Sequence, residues 1–120
     1  MKVLFVCTAN VARSPMAAEI FRELAGRDAP HTARAVGTAS WAVRRLTTQD
    51  LAWADVVAVM EAQHLAEIRR HWPDHVRKVR VLEVLDDYDP GEPALRDLLT
   101  GKVKVLLAEL DLPRSPPASP

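Results

Sequence analysis

Apolar runs alternate along this chain with segments in which apolar residues return every three or four positions. Lys2–Cys7 (KVLFVC) is a nearly unbroken apolar run, the pattern of a strand buried on both faces. After a short polar segment, Met16, Ile20, Phe21 and Leu24 recur at helical spacing until Gly26, with Ser14 predicted as the N-cap and Pro15 as the first helical residue. His31–Val36 predicts a weaker strand that ends at Gly37-Thr38. Thr47–Leu51 predicts a short helix capped by Thr47, and Asp55–Met60 a second buried strand. Glu61–His71 carries Leu65 and Ile68 on one helical face and stops before Pro73. Val76–Leu85 reads as a last strand. Pro93–Leu110 reads as a last helix, with Leu95, Leu98, Leu99, Val103, Leu106 and Leu107 in register.

This strand–helix alternation predicts an α/β fold, a parallel sheet covered by helices on both faces. Ligands in such sheets bind beyond the carboxyl ends of the strands, and Cys7 closes the first strand. With 120 residues the chain fits one domain, expected over residues 1–112. The Pro/Ser-rich stretch 113–120 (PRSPPASP) is expected to be a disordered tail.

Sixteen basic and sixteen acidic residues balance to zero formal charge, which offers no electrostatic footprint for nucleic acid or an anionic membrane. The single cysteine excludes an intrachain disulfide and fits a reducing compartment. The apolar run after Lys2 is too short for a signal peptide, and no run approaches a membrane span, so a cytoplasmic protein is expected.

The chemistry concentrates in VLFVCTANVARSPMAAEIF, where Cys7 and Arg13 bracket five residues and Ser14 follows. A Cys-x5-Arg-Ser loop between a buried strand and a helix start is suited to hold a phosphate. Successive backbone N–H groups (Thr8, Ala9, Asn10, Val11, Ala12, Arg13 and Ser14) curl around an oxyanion, and the helix end adds positive potential. Arg13 grips two oxygens with its planar fork. The same field favours a thiolate at Cys7, which places a nucleophile where phosphorus would be held. The plainer reading of Cys7 is a small apolar core residue.

These residues resemble the low-molecular-weight protein tyrosine phosphatase superfamily. The matching segments are VLFVCTANVARSP, the AVGT of Ala35–Thr38, RRLTTQDLAWADVVAVME from Arg44 to Glu61, and DDY at Asp86–Tyr88. The resemblance implies a three-layer sandwich with a four-stranded parallel sheet of order 2-1-3-4. It also implies hydrolysis of phosphotyrosine or aryl phosphate monoesters through a phosphocysteine on Cys7, releasing inorganic phosphate, with no metal or cofactor. Arg13 and the loop amides would stabilise the equatorial oxygens. Ser14 would donate to the Cys7 sulfur, and Asn10 would hold the loop in left-handed geometry. Asp86 would protonate the leaving phenolate and then activate water, with Asp87 and Asp89 as neighbouring alternatives. Tyr88 and Trp41 would wall the substrate pocket.

Departures from the family pattern shape these expectations. The acid position carries Asp-Asp-Tyr rather than Asp-Pro-Tyr, so a phosphate- or phosphotyrosine-binding module with weak turnover stays open as an alternative. The segment between Gly37-Thr38 and Ala54-Asp55 is short, which predicts an open cleft. Trp41 stands where the family tends to place a His that supports the loop Asn. Ala12 replaces a second loop Cys, and no further cysteine exists for a thiol-relay arsenate reductase. Val11 replaces the Thr of related arginine phosphatases, which favours a phenyl ring over a guanidinium. Elsewhere, His64, His71 and His75 read as surface histidines rather than metal ligands, and Arg69, Arg70, Arg77, Lys78 and Arg80 as a solvated basic face. Trp53 and Trp72 read as core or rim residues.

Overall fold

The computed structural model describes residues 1–26 and 30–111; the predicted 113–120 tail lies outside them. Strand β1 (Lys2–Cys7) is followed by α1 (Arg13–Ala25), β2 (Thr32–Gly37), α2 (Thr48–Trp53), β3 (Val56–Val59), α3 (Ala62–His71), a 3₁₀ turn (Pro73–Lys78), β4 (Val79–Val81) and α4 (Pro93–Asp111). The four strands form a parallel sheet of order β2-β1-β3-β4, as the resemblance implied. Helices cover both faces, and the apolar side chains divide accordingly.

On one face Val3, Phe5 and Cys7 of β1 pack with Ile20 and Phe21 of α1 and Leu95, Leu99 and Val103 of α4. On the other, Leu4 and Val6 meet Leu51 of α2 and Ile68 of α3. Period-two alternation in β1 therefore feeds two separate cores, which is why the strand is apolar at nearly every position. The β1 register, Phe5 opposite Ala35 and Ala58, ends with Cys7 beside Gly37, so the carboxyl end of the central strand opens directly into the Cys7–Arg13 loop.

Most boundaries move by one or two residues; those of α1 and β4 differ in ways that matter for the site. Helix α1 begins at Arg13 with Ala12 as N-cap and no side-chain capping bond. Ser14 does not cap it, because its hydroxyl is turned inward to other partners. The last strand is shorter than Val76–Leu85: residues through Lys78 form the 3₁₀ turn, where Pro73 at the first position starts a helical turn. Beyond Val81 the ladder continues irregularly. Leu82 N–H donates to Val59 O, yet Val84 N–H donates to Met60 O, one residue short of regular register. Glu83, at φ 60°, takes up the extra residue as a bulge. Thr47 caps α2 as anticipated, accepting from Asp50 N–H. No helix among the described residues is long and apolar enough to cross a membrane.

Phe21 anchors the first core, fully buried and edge-on to Phe5 with ring centroids 5.7 Å apart. Phe21→Ala is expected to lower the unfolding free energy by about 3–5 kcal/mol, read from the denaturant midpoint. A shift under about 1 kcal/mol would show that this core collapses around the vacancy at little cost.

Candidate functional site

The Cys7–Arg13 loop is built against the chain that leaves β2. Thr38 N–H donates to Cys7 O (2.9 Å), Ala39 N–H to Thr8 O (3.0 Å) and Val43 N–H to Ala9 O (3.1 Å). Three successive carbonyls are thus held on the outside of the loop. Each peptide unit is planar and trans, so the N–H groups that follow point the opposite way. Asn10 N–H accordingly donates to Cys7 Sγ at 3.2 Å. Asn10 adopts φ 57°, the left-handed geometry anticipated for it. Gly37 permits this close approach: a Cβ there would collide with Thr8 O and lie 2.8 Å from Ala42 Cβ.

Behind the loop, Ser14 is fully buried. Its Oγ lies 3.0 Å from Cys7 Sγ, 2.8 Å from Asn10 Oδ1 and 3.1 Å from Val36 O. One hydroxyl proton cannot serve three acceptors at once. Ser14 Oγ donates to Asn10 Oδ1, and the Val36 carbonyl and the Cys7 sulfur stand beside the same hydroxyl. The Asn10 side chain is held by Ser14, and the carbonyl of Ala9 just before it by Val43 N–H. The side chains of Asn10 and Ser14 sit behind the loop, whereas Thr8, Ala9, Val11, Ala12 and Arg13 line its open side.

That open side is a cavity of about 290 Å³ walled also by Cys7, Trp41, Asp86, Tyr88 and Pro90. Trp41 is 70% exposed and Val11 51% exposed, so both are rim residues rather than core filler. Of the three candidate carboxylates only Asp86 lines the cavity. It is 69% exposed, with Oδ1 3.6 Å from Arg13 Nε. The backbone N–H of Asp89 donates to Glu92 Oε2 just before α4, and Asp89 does not line the cavity.

Arg13 is almost fully buried. Its Nη1 donates to Glu61 Oε1 and to Val84 O (2.8 Å). The Val84 carbonyl reaches it because the bulge at Glu83 displaces the chain beyond β4. Sequence reasoning missed Glu61, although its place at the carboxyl end of a buried strand was a usable signal.

It also missed His64. This side chain is buried rather than on the surface, with 1% of its area exposed. Glu61 N–H donates to its Nδ1 (3.0 Å), and its Nε2 faces Thr8 Oγ1 (2.9 Å). Burial, together with the Arg13 guanidinium, lowers its pKa from 6.5 to about 4, against the opposing pull of Glu61, Asp86 and Glu67. Elsewhere, Trp53 packs against the second core with Arg34 over its ring, and Trp72 donates to Thr48 Oγ1. No three His, Cys, Asp or Glu side chains gather as a metal site among the described residues.

Residues 2–40, which span the loop and its β2 support, match the profile described as low molecular weight phosphotyrosine protein phosphatase. A low molecular weight protein-tyrosine-phosphatase of Streptomyces coelicolor is 30% identical over 116 aligned residues, covering 75% of this chain and 70% of that protein. The chain belongs to the low molecular weight phosphotyrosine protein phosphatase family. Solved structures agree. The YwlE arginine phosphatase of Geobacillus stearothermophilus superposes with a TM-score of 0.75 at 25% identity, covering 91% of this chain and 92% of that one. A YwlE arginine phosphatase variant with a phosphorylated active-site serine gives 0.80 at 26% identity, covering 95% and 98%. The protein is thus a phosphatase of the protein-tyrosine-phosphatase type.

Two outcomes follow from this geometry. Gly37→Ala is expected to cost about 1–3 kcal/mol of stability through overpacking and to lower phosphatase activity with it. Wild-type melting temperature and rate would mean that the 38–43 segment moves aside. The second outcome concerns His64. The unfolded ring takes up a proton below pH 6.5 but the folded ring only near 4, so stability is present in full above 6.5 and falls as pH drops toward 4. His64→Asn should flatten the melting-temperature profile across that window; an unchanged slope would assign it to other groups.

Proposed function

We propose that this phosphatase hydrolyses phosphotyrosine or related aryl phosphate monoesters through a phosphocysteine on Cys7. The observation that carries the proposal is the placement of Cys7 Sγ on one cavity wall with the Arg13 fork and Asp86, the sulfur receiving Asn10 N–H and standing 3.0 Å from Ser14 Oγ. In the first step Cys7 Sγ attacks phosphorus, the P–O(aryl) bond breaks, and the carboxyl of Asp86 gives its proton to the leaving oxygen. In the second, water attacks phosphorus, Asp86 takes the water proton, the P–S bond breaks, and inorganic phosphate leaves. Arg13 and the loop N–H groups carry the charge of the equatorial oxygens. Glu61 holds Arg13 Nη1 from the side away from Asp86. An arriving phosphate competes with Asp86 for Arg13 Nε, which frees the exposed side chain to take up a proton from solvent and turn toward the leaving group as the neutral acid.

Serine phosphorylated at the active site of the structurally similar YwlE variant supports a covalent phosphoryl intermediate here. That likeness also motivates a second reading, a phosphoarginine substrate. The wall of Val11, Trp41, Tyr88 and Pro90 favours a flat apolar ring over a guanidinium. A phosphotyrosine peptide is therefore expected to be hydrolysed at a higher kcat/KM than a phosphoarginine peptide of the same sequence, and the reverse ranking would establish the second reading.

Cys7→Ser should abolish turnover of para-nitrophenyl phosphate while inorganic phosphate still binds. Turnover that survives would sink the mechanism. Asp86→Asn should slow aryl phosphates with poor leaving groups by about 10²-fold and those with good leaving groups far less. If Asp87→Asn or Asp89→Asn shows that dependence instead, the acid is that residue.

A further inference from the structure

His64 is a buried titratable group that the two-step mechanism leaves unused, and its two ring nitrogens face the two halves of the site. Nδ1 receives the backbone N–H of Glu61, whose carboxylate holds Arg13. A backbone N–H can only donate, so Nδ1 carries the lone pair. In the neutral ring the proton is then on Nε2, which faces Thr8 Oγ1 at 2.9 Å and donates to it. Thr8 follows the nucleophile directly, and its carbonyl is held from outside by Ala39. One buried ring therefore bridges the first residue of the phosphate loop and the residue that holds the arginine.

We propose that His64 is a positioning residue that sets the phosphate loop and the Arg13 clamp in a common register through a fixed Nε2–H tautomer. Both bonds are of ordinary length, 3.0 Å to Glu61 N–H and 2.9 Å to Thr8 Oγ1. The ring is packed between β3, from whose end Glu61 follows, and the loop at the end of β1. A side chain that keeps only one bond lets the Thr8 end and the Glu61 end move independently, and oxyanion stabilisation depends on their relative placement to a fraction of an ångström. The charged groups facing the ring are Arg13, Glu61, Asp86 and Glu67. Protonating Nδ1 would expel the Glu61 N–H, so the bridge exists only with a neutral ring. The depressed pKa keeps it neutral at ordinary pH.

The kinetic part of the inference rests on the phosphomonoesterase reading; the tautomer does not. In nitrogen–proton correlation spectra of the wild-type protein, His64 is expected as the neutral Nε2–H form from about pH 5 to about pH 8. An Nδ1–H ring, or one that titrates like an exposed histidine, overturns the proposal whether or not the protein turns over substrate. With para-nitrophenyl phosphate, His64→Asn retains an acceptor near Glu61 N–H but cannot reach Thr8. It should lower kcat and weaken inhibition by inorganic phosphate by about 10-fold each, the equivalent of one buried hydrogen bond. Thr8→Val should do the same and Thr8→Ser should restore the rate. The double variant should be no worse than either single one. If His64→Asn does not fold, the Thr8→Val and Thr8→Ser pair decides. Losses that multiply in the double variant, or a melting-temperature drop with kcat and phosphate inhibition unchanged, would reduce His64 to a packing residue. A wild-type protein inactive on aryl phosphates would instead overturn the proposed function, with the spectra still deciding the bridge.

Discussion

The site depends on how closely the loop after β1 lies against the chain after β2. Three N–H groups from Thr38, Ala39 and Val43 fix the carbonyls of Cys7, Thr8 and Ala9 on the outer side. Peptide planarity then dictates where the following amides point. Residues 8–12 between β1 and α1 have no regular secondary structure of their own, and without that external ladder their polar backbone would have no reason to present donors inward. The condition for the contact is the missing side chain of Gly37, which lets two irregular segments meet backbone to backbone.

Proton counting shows how the polar side chains around the loop fit together. Ser14 has one proton and three neighbours able to accept it, and its shortest contact is the donation to Asn10 Oδ1. Arg13 has no such shortage. Its Nη1 donates to Glu61 and Val84 O, and its Nε faces the exposed Asp86, so a charged group almost fully withdrawn from water is paired on the protein side and approachable on the cavity side. The bulge at Glu83 belongs to this arrangement. It spends a left-handed non-glycine residue to bring a carbonyl, and the acid segment after it, to the arginine.

Much of this was legible beforehand. The strand–helix alternation gave the sheet, because strands buried on both faces read as continuous apolar runs and helices as periodic ones. Cys7 and Arg13 were legible because their spacing links them through a single local loop. Ser14 was misread as a helix cap, since a Ser before a Pro at a helix start usually serves the backbone; here the sulfur, Asn10 and Val36 claim its hydroxyl instead. Asp86 stood out from Asp87 and Asp89 only once the cavity was formed, because neighbouring acidic residues on a turn look alike in one dimension.

The sequence by itself determined the α/β architecture, the chemical nature of the loop, and the absence of any second thiol. These are properties of periodicity, local spacing and composition, which need no knowledge of what lies opposite. Only the tertiary structure decided that Glu61 holds Arg13, that His64 is a buried bridge to Thr8, that Gly37 is a contact surface for the loop, and that Trp41 stands on the rim. Each of those pairings joins residues far apart in the chain, and the closure of the parallel sheet is what brings the ends of β1, β2 and β3 to one edge.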